Sequence, residues 1–184
     1  MKNYLITLIV LTGIFNSCTN RNTTQPADTN SLSSTTSFID SLETLIDPTI
    51  KYDAKYRRLK NMCDDVPANI GACADVVVRA FSNIDVCLQQ EIYNHRKSKN
   101  LFIDTNIDHR RVRNLGSYFE FKGWEISKEK KLQPGDIIWW KVNGSDHIGI
   151  VYHNGKMLHN EGRGQSVDVK PDYYPIYKVY RINA

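Results

Sequence analysis

The 184-residue chain has little of what marks several common classes of protein. It has only 4 Cys and 5 His, and none fall at Cys-x-x-Cys or His-Glu-x-x-His spacing, so no metal site is assigned. Charge of one sign is scarce. Lys and Arg number 24 against 20 Asp and Glu, with no dense basic stripe, so nucleic acid is not an expected partner. There is no internal repeat. The one long apolar run, Leu5 to Phe15, is too short for an ordinary membrane-spanning helix. At about 100–200 residues per domain the chain holds a single folded domain. That leaves no room for a two-domain cofactor enzyme, and no cofactor is expected. A hydrophobic content of 41%, with 10 Tyr, 6 Phe and 3 Trp, is enough for a core and excludes wholesale disorder.

The N-terminus reads as an address. Residues 1–18 are MKNYLITLIVLTGIFNSC: a positive Lys2, the short apolar run, small residues, then Cys18. This resembles a bacterial lipoprotein signal. The resemblance implies cleavage before Cys18 and a lipid on that cysteine. An ordinary secretory signal with an incidental Cys is the alternative, and both export the chain. Thr19 to Ser37 is rich in Thr, Asn and Ser, and lacks the apolar surface to fold. The expected organisation is a signal over 1–17, a lipidated Cys18 with a flexible tether over 18–37, and a folded domain over 38–184. The expected location is the periplasmic face of the cell envelope, with the lipid as membrane contact and a monomeric state.

The folded part changes period midway. Phe38, Leu42 and Leu45 recur at helical spacing, and Asp47-Pro48 stops them. Tyr52 to Met62 reads as a turn or a second short helix. Ala72 to Phe81 is a buried helix entered from a Gly-containing loop, and Leu88 to His95 suggests another. Then Pro134-Gly135 punctuates a turn. Ile137 to Val142, His147 to Tyr152, Met157 to Asn160 and Ile176 to Ile182 read as strands, with hairpin turns at Asn143-Gly144 and His153 to Lys156. Helices first and an antiparallel sheet second predict an α+β domain.

One constellation carries chemistry. Cys73 sits where a loop enters a helix, where partial positive charge and free N–H groups stabilise a thiolate. His147 opens a strand, and an imidazole beside a thiol activates it. Across the next hairpin lie His159 and Asn160. Neighbouring strands are about 5 Å apart. A side chain there can reach His147 and fix its tautomer, the role of a triad's third member. Alternation turns one of the two toward His147 and the other away.

These residues bring a resemblance. Leu132-Gln133-Pro134-Gly135-Asp136-Ile137-Ile138, His147-Ile148-Gly149-Ile150-Val151 and Gly155-Lys156-Met157-Leu158-His159 resemble the second half of NlpC-type cysteine peptidases, which are papain-like cell-wall enzymes. Many of those have Asp-Cys-Ser at the nucleophile, where this chain has Ala72-Cys73-Ala74. More closely, Tyr52 to the C-terminus resembles the DUF1287 family. The matching segments are Asp65 to Ala80, Asn106 to Val112 and the strands just quoted. The resemblance implies a papain-like fold, N-terminal helices packed on an antiparallel sheet, and a Cys-His pair. By NlpC spacing it favours His159 as third member, with Asn160 the alternative. The implied activity is cysteine hydrolysis of amide or peptide bonds in the envelope, with peptidoglycan stem peptides as substrate. An acyltransferase or thioesterase using the same dyad is the alternative, and a catalytically silent envelope-binding lipoprotein is the rival of a different class.

Two features have two readings each. Asp108, His109 and Arg110 are expected either to form a substrate-binding wall for carboxylates or to brace a loop as an ion-pair network. Cys63 and Cys87 either pair or stay free; if they pair, Cys73 is the odd thiol.

Overall fold

The computed structural model describes residues 36–182, so the signal, Cys18 and the tether as far as residue 35 lie outside the described residues. Residues 36–41 are helical and run into a 3-10 turn, Leu42–Leu45. Three longer helices follow: α1 (Cys73–Ser82), α2 (Leu88–Ser98) and α3 (Val112–Phe121). Strands β1 (Lys51–Tyr52) and β2 (Ile70–Gly71) form a short parallel pair. Six more, β3 (Glu125–Ile126), β4 (Ile137–Val142), β5 (Ser145–Val151), β6 (Met157–His159), β7 (Ser166–Val167) and β8 (Ile176–Tyr180), make one antiparallel sheet in the order β3-β8-β4-β5-β6-β7. The domain is α+β, with its helices ahead of the main sheet, as the change of period predicts.

Alternation along the strands divides the sheet into two faces. Ile137, Trp139, Ile148, Ile150 and Leu158 join Val76, Val77, Phe81, Leu115 and Phe119 in a core shared with the helices. Ile138, Trp140, Val151 and Met157 form a smaller core on the other face. Trp139 and Trp140 thus point opposite ways, as neighbours on a strand must. The β4–β5 hairpin turns at Asn143 and Gly144, both at positive φ (49° and 81°), the conformation a tight hairpin needs.

Two expectations change. Helix α3 was not expected, because Arg113, Asn114, Ser117 and Glu120 break up its apolar side. Its buried residues Val112, Leu115, Tyr118 and Phe119 do keep helical spacing. Gly116 lets it approach the sheet, since a Cβ there would lie 2.6 Å from the Trp139 ring. The stretch from Tyr52 to Met62 holds no helix, and only its first residue is in a strand. Cys63 and Cys87 form a disulfide that ties the end of this stretch to the start of α2, leaving Cys73 as the free cysteine among the described residues.

Candidate active site

The start of α1 is held from three sides. The parallel pairing of β1 with β2 sets Tyr52 opposite Gly71. Asp75, in the helix's first turn, accepts the Ala72 N–H at 2.6 Å. That carboxylate is in turn gripped by Arg110, at 2.7 and 2.9 Å, while Arg110 also donates to the carbonyls of Lys55 and Asp53. An acid in the first turn suits both the free N–H groups and the helix dipole. Cys73 is thereby fixed as the first residue of the helix.

The sheet opens where Cys73 meets it. Register pairs β5 with β6 only at Ile150–Leu158 and Val151–Met157. Beyond that, toward His147, the ladder stops. The backbone N–H of Ile148 lies close enough to the Cys73 sulfur to favour its charged form. Ile148 follows His147 directly, so the sulfur lies within one residue of the point where the imidazole is attached. The Tyr52 hydroxyl lies near the same sulfur, and burial first and Cys73 second raise it to about 12.

The structure separates His159 from Asn160 as alternation requires. His159 Nδ1 lies 2.8 Å from His147 Nε2. Asn160 points the other way and donates from Nδ2 to the Gly71 carbonyl at 3.0 Å, bracing the chain ahead of Cys73. Both are fully buried. Gly149 makes room for the imidazole pair: a Cβ there would be 3.0 Å from His159 Cβ and 3.0 Å from the Leu158 carbonyl oxygen. The Trp140 ring stacks on His147, at 5.4 Å between centroids and 13° between planes.

A further residue completes the line, and the strand pattern gives no sign of it. His159 Nε2 lies 2.8 Å from Asp168 Oδ1. Asp168 follows the two-residue strand β7, too short to leave a period; a carboxylate just past the next strand crossing is the only available hint. Burial pushes its carboxyl up, but the hydrogen bond and charge of His159 outweigh this and hold it below the usual range. An ionised carboxylate only accepts, so His159 Nε2 carries a hydrogen, and in the neutral ring Nδ1 offers its lone pair to His147. His147 then donates from Nε2, which leaves its Nδ1 as a free base.

Electrostatics overturn one expectation. The helix start was expected to hold Cys73 as a thiolate. Burial instead pushes the thiol up to about 11, against the lowering effect of the Ile148, Ala74 and Cys73 N–H groups, and the nearby Asp75 charge adds to the rise. Burial and then the neighbouring His159 push His147 down to about 4. The resting pair is a neutral thiol and a neutral imidazole. At 5% exposure, the loss of water around a thiolate exceeds what three N–H groups and a helix end return.

The Asp108–Arg110 cluster is mostly engaged within the chain. Its three residues form a 3-10 turn and are 3–7% exposed. Arg110 is spent on Asp75 and two carbonyls. Asp108 pairs with Arg96 at 3.0 Å and accepts the Asp104 N–H. His109 is buried, and its burial lowers it to about 4. The bracing reading is the one this geometry fits, because the carboxylate that Arg110 grips is the protein's own.

An α+β domain with a cysteine at a helix start, two linked histidines and a carboxylate behind them defines the class of site. Residues 39–182 match the family described as a domain of unknown function, DUF1287. Uncharacterized protein YijF of Escherichia coli (strain K12) is 38% identical over 144 residues, spanning 67% of this chain and 70% of that protein. The chain belongs to the DUF1287 family.

Proposed function

We propose that this chain is an exported cysteine hydrolase that cleaves amide or peptide bonds in the cell envelope, with peptidoglycan stem peptides as its substrate class. Its domain is read as papain-like, of the NlpC type. The observation that carries the reading is the line Asp168–His159–His147, hydrogen-bonded at 2.8 Å per step, beside a cysteine that heads a buried helix. The order of parts supports it: nucleophile helix, Pro-Gly-Asp turn, histidine strand, hairpin, third-member strand. The lipoprotein reading of Cys18 would place the domain on a tether at the periplasmic face, acting as a monomer.

The chemistry follows from the resting state. Because thiol and imidazole are both neutral, the proton moves as the bond forms. His147 Nδ1 takes the Cys73 proton while the sulfur attacks the carbonyl carbon. A backbone N–H at the helix start, with the Tyr52 hydroxyl as a second donor, would stabilise the developing oxyanion. His147 returns the proton to the leaving amine, and a thioester remains. A water molecule, deprotonated by His147, attacks that thioester and releases the acid and the thiol. Through both halves, His159 and Asp168 hold the imidazole in its tautomer and stabilise its charged form.

Digestion of purified peptidoglycan, with fragments read by mass, tests the proposal. The wild-type protein should release peptides with new termini. Cys73→Ala should release none while melting as the wild type does, since Ala suits the helix start. Equal digestion by Cys73→Ala would overturn the mechanism. If no fragments form but Cys73 accumulates an acyl group from a thioester probe, the acyltransferase reading replaces hydrolysis.

A further inference from the structure

The imidazole pair has a neighbour that the hydrolytic chemistry does not use. Glu161 lies two residues past His159, and one carboxylate oxygen together with one ring nitrogen from each of His147 and His159 all fall within 4.8 Å of one another. The two nitrogens that face each other, His147 Nε2 and His159 Nδ1, are already 2.8 Å apart, with a single hydrogen between them. The Glu161 side chain is 16% exposed. One of its oxygens accepts the Tyr174 hydroxyl at 3.0 Å, and the other pairs with the exposed Arg163 at 3.1 Å. It therefore sits at the rim, with the histidines buried behind it.

We propose that His147, His159 and Glu161 form a binding site for one transition-metal ion of the zinc type, and that occupancy disables His147 as a base. Two imidazoles and one carboxylate, with a fourth position open to water, are a donor set that zinc takes in tetrahedral sites. Imidazole suits zinc, copper and nickel, whereas magnesium and calcium require oxygen ligands, so they are excluded. Asp168 supplies what such sites usually add, a carboxylate on the far nitrogen of a ligating histidine. With His159 Nε2–H held there, its Nδ1 lone pair faces the ion.

The consequence for His147 is a change of tautomer. A metal on Nε2 takes the lone pair made when the hydrogen leaves that nitrogen. In the neutral ring the hydrogen then resides on Nδ1. Protons balance, with none lost from the ring. The nitrogen needed by Cys73 now carries a hydrogen and cannot accept one. The ion thus acts on the face of His147 away from the sulfur, unlike a metal bridging thiolate and imidazole.

The metal site stands apart from the hydrolase reading; only its effect on turnover rests on it, so the readouts are chosen to need no substrate. Zinc is titrated into the purified protein by calorimetry, and 15N shifts of the imidazoles are followed. The rate of Cys73 alkylation by iodoacetamide is measured in parallel. Expected are one micromolar-class zinc site, no heat with magnesium, a His147 signature changed from Nε2–H to Nδ1–H, and alkylation slowed about ten-fold, one proton-transfer partner being removed. Cys73→Ala should bind zinc as the wild type does. Glu161→Gln should weaken zinc about ten-fold or more, the scale seen when parts of a metal site are removed. It should keep the metal-free alkylation rate. Absence of zinc binding, loss of binding in Cys73→Ala, or an unchanged His147 tautomer in the zinc-loaded wild type would each overturn the proposal. A failed peptidoglycan digest would overturn the hydrolase reading and leave these results standing.

Discussion

Two buried polar networks sit on either side of Cys73, and they are built on opposite plans. Asp75 and Arg110 are about as buried as charged groups become, with side chains 1% and 2% exposed. Every strong contact of theirs closes on another part of the chain: the Ala72 N–H, the Lys55 and Asp53 carbonyls, and each other. The second network, Asp168–His159–His147, is closed at the carboxylate and open at the last nitrogen. A closed network spends its hydrogen-bonding capacity on position. An open one keeps a lone pair for something that is not part of the fold. The first therefore reads as brace and the second as relay, although both contain a carboxylate and a basic partner.

The comparison breaks if the brace turns out to be dispensable for folding. Asp75→Ala leaves a guanidinium buried without its partner, which costs about 3–5 kcal/mol in comparable pairs. Denaturant unfolding should show a loss of that size, with an unchanged slope. A loss below about 1 kcal/mol, the range of an exposed ion pair, would mean water already reaches Arg110.

The relay should respond in rate rather than in stability. His159→Ala should lower turnover roughly 10- to 1000-fold at nearly constant KM, less than the loss of a serine protease's third member because a thiol needs less help. Asn160→Ala should instead lower the melting temperature, since it frees the Gly71 carbonyl, and change turnover only a few-fold. A reversed ranking would reassign the two neighbours.

Acid sharpens the contrast between a group held charged and a group held neutral. His147 and His109 are each held down near 4 by burial. In the unfolded chain they titrate at the ordinary 6.5, so between pH 6.5 and 4 the unfolded state binds more protons. Stability should therefore fall as pH drops through that window and level off below it as far as these two groups are concerned. A loss on the order of 2 kcal/mol is expected for the pair after allowing for residual hydration. Melting temperatures from pH 7 to 4 measure it, and His109→Gln should remove part of the slope. A flat profile would mean that both rings take up protons in the fold as readily as in the unfolded chain.

How much of this was legible in sequence depends on whether the signal is local. Cys73, His147 and His159 sit on elements with clear period or punctuation: a buried helix after Gly71, a strand after an Asn-Gly turn, a strand after a second hairpin. Their spacing survives folding because hairpins bring near neighbours in sequence together. Asp168 follows a strand too short to show alternation. Helix α3 hides its apolar side among Arg, Asn and Ser. Asp108, His109 and Arg110 show the other limit. Residue type alone gives the same score to an arginine aimed at solvent and one aimed at Asp75, thirty-five residues upstream. The state of the thiol was missed for a related reason. A helix start is visible in sequence, but the depth at which it is buried is not.

The smallest effect is expected at the far end of the relay. Asp168 is one imidazole removed from His147, and its side chain is 30% exposed. Its charge stabilises the imidazolium formed during transfer only through His159 and in partial contact with water. Asp168→Asn keeps an oxygen able to accept the His159 Nε2–H, so the tautomer is conserved if the amide presents that oxygen. What is lost is the charge. Turnover should fall about ten-fold or less, well short of the roughly 10⁴-fold loss when the carboxylate touches the base directly. KM should stay constant, because the loss falls on the transition state. Asp168→Ala removes the acceptor too and should cost more than Asp168→Asn. If the two variants lose equally, the charge carries the whole effect and orientation of His159 comes from packing against Trp140, whose ring meets it edge-on at 5.8 Å. If neither lowers turnover, the relay ends at His159, and Asp168 belongs with Asp75 among the braces.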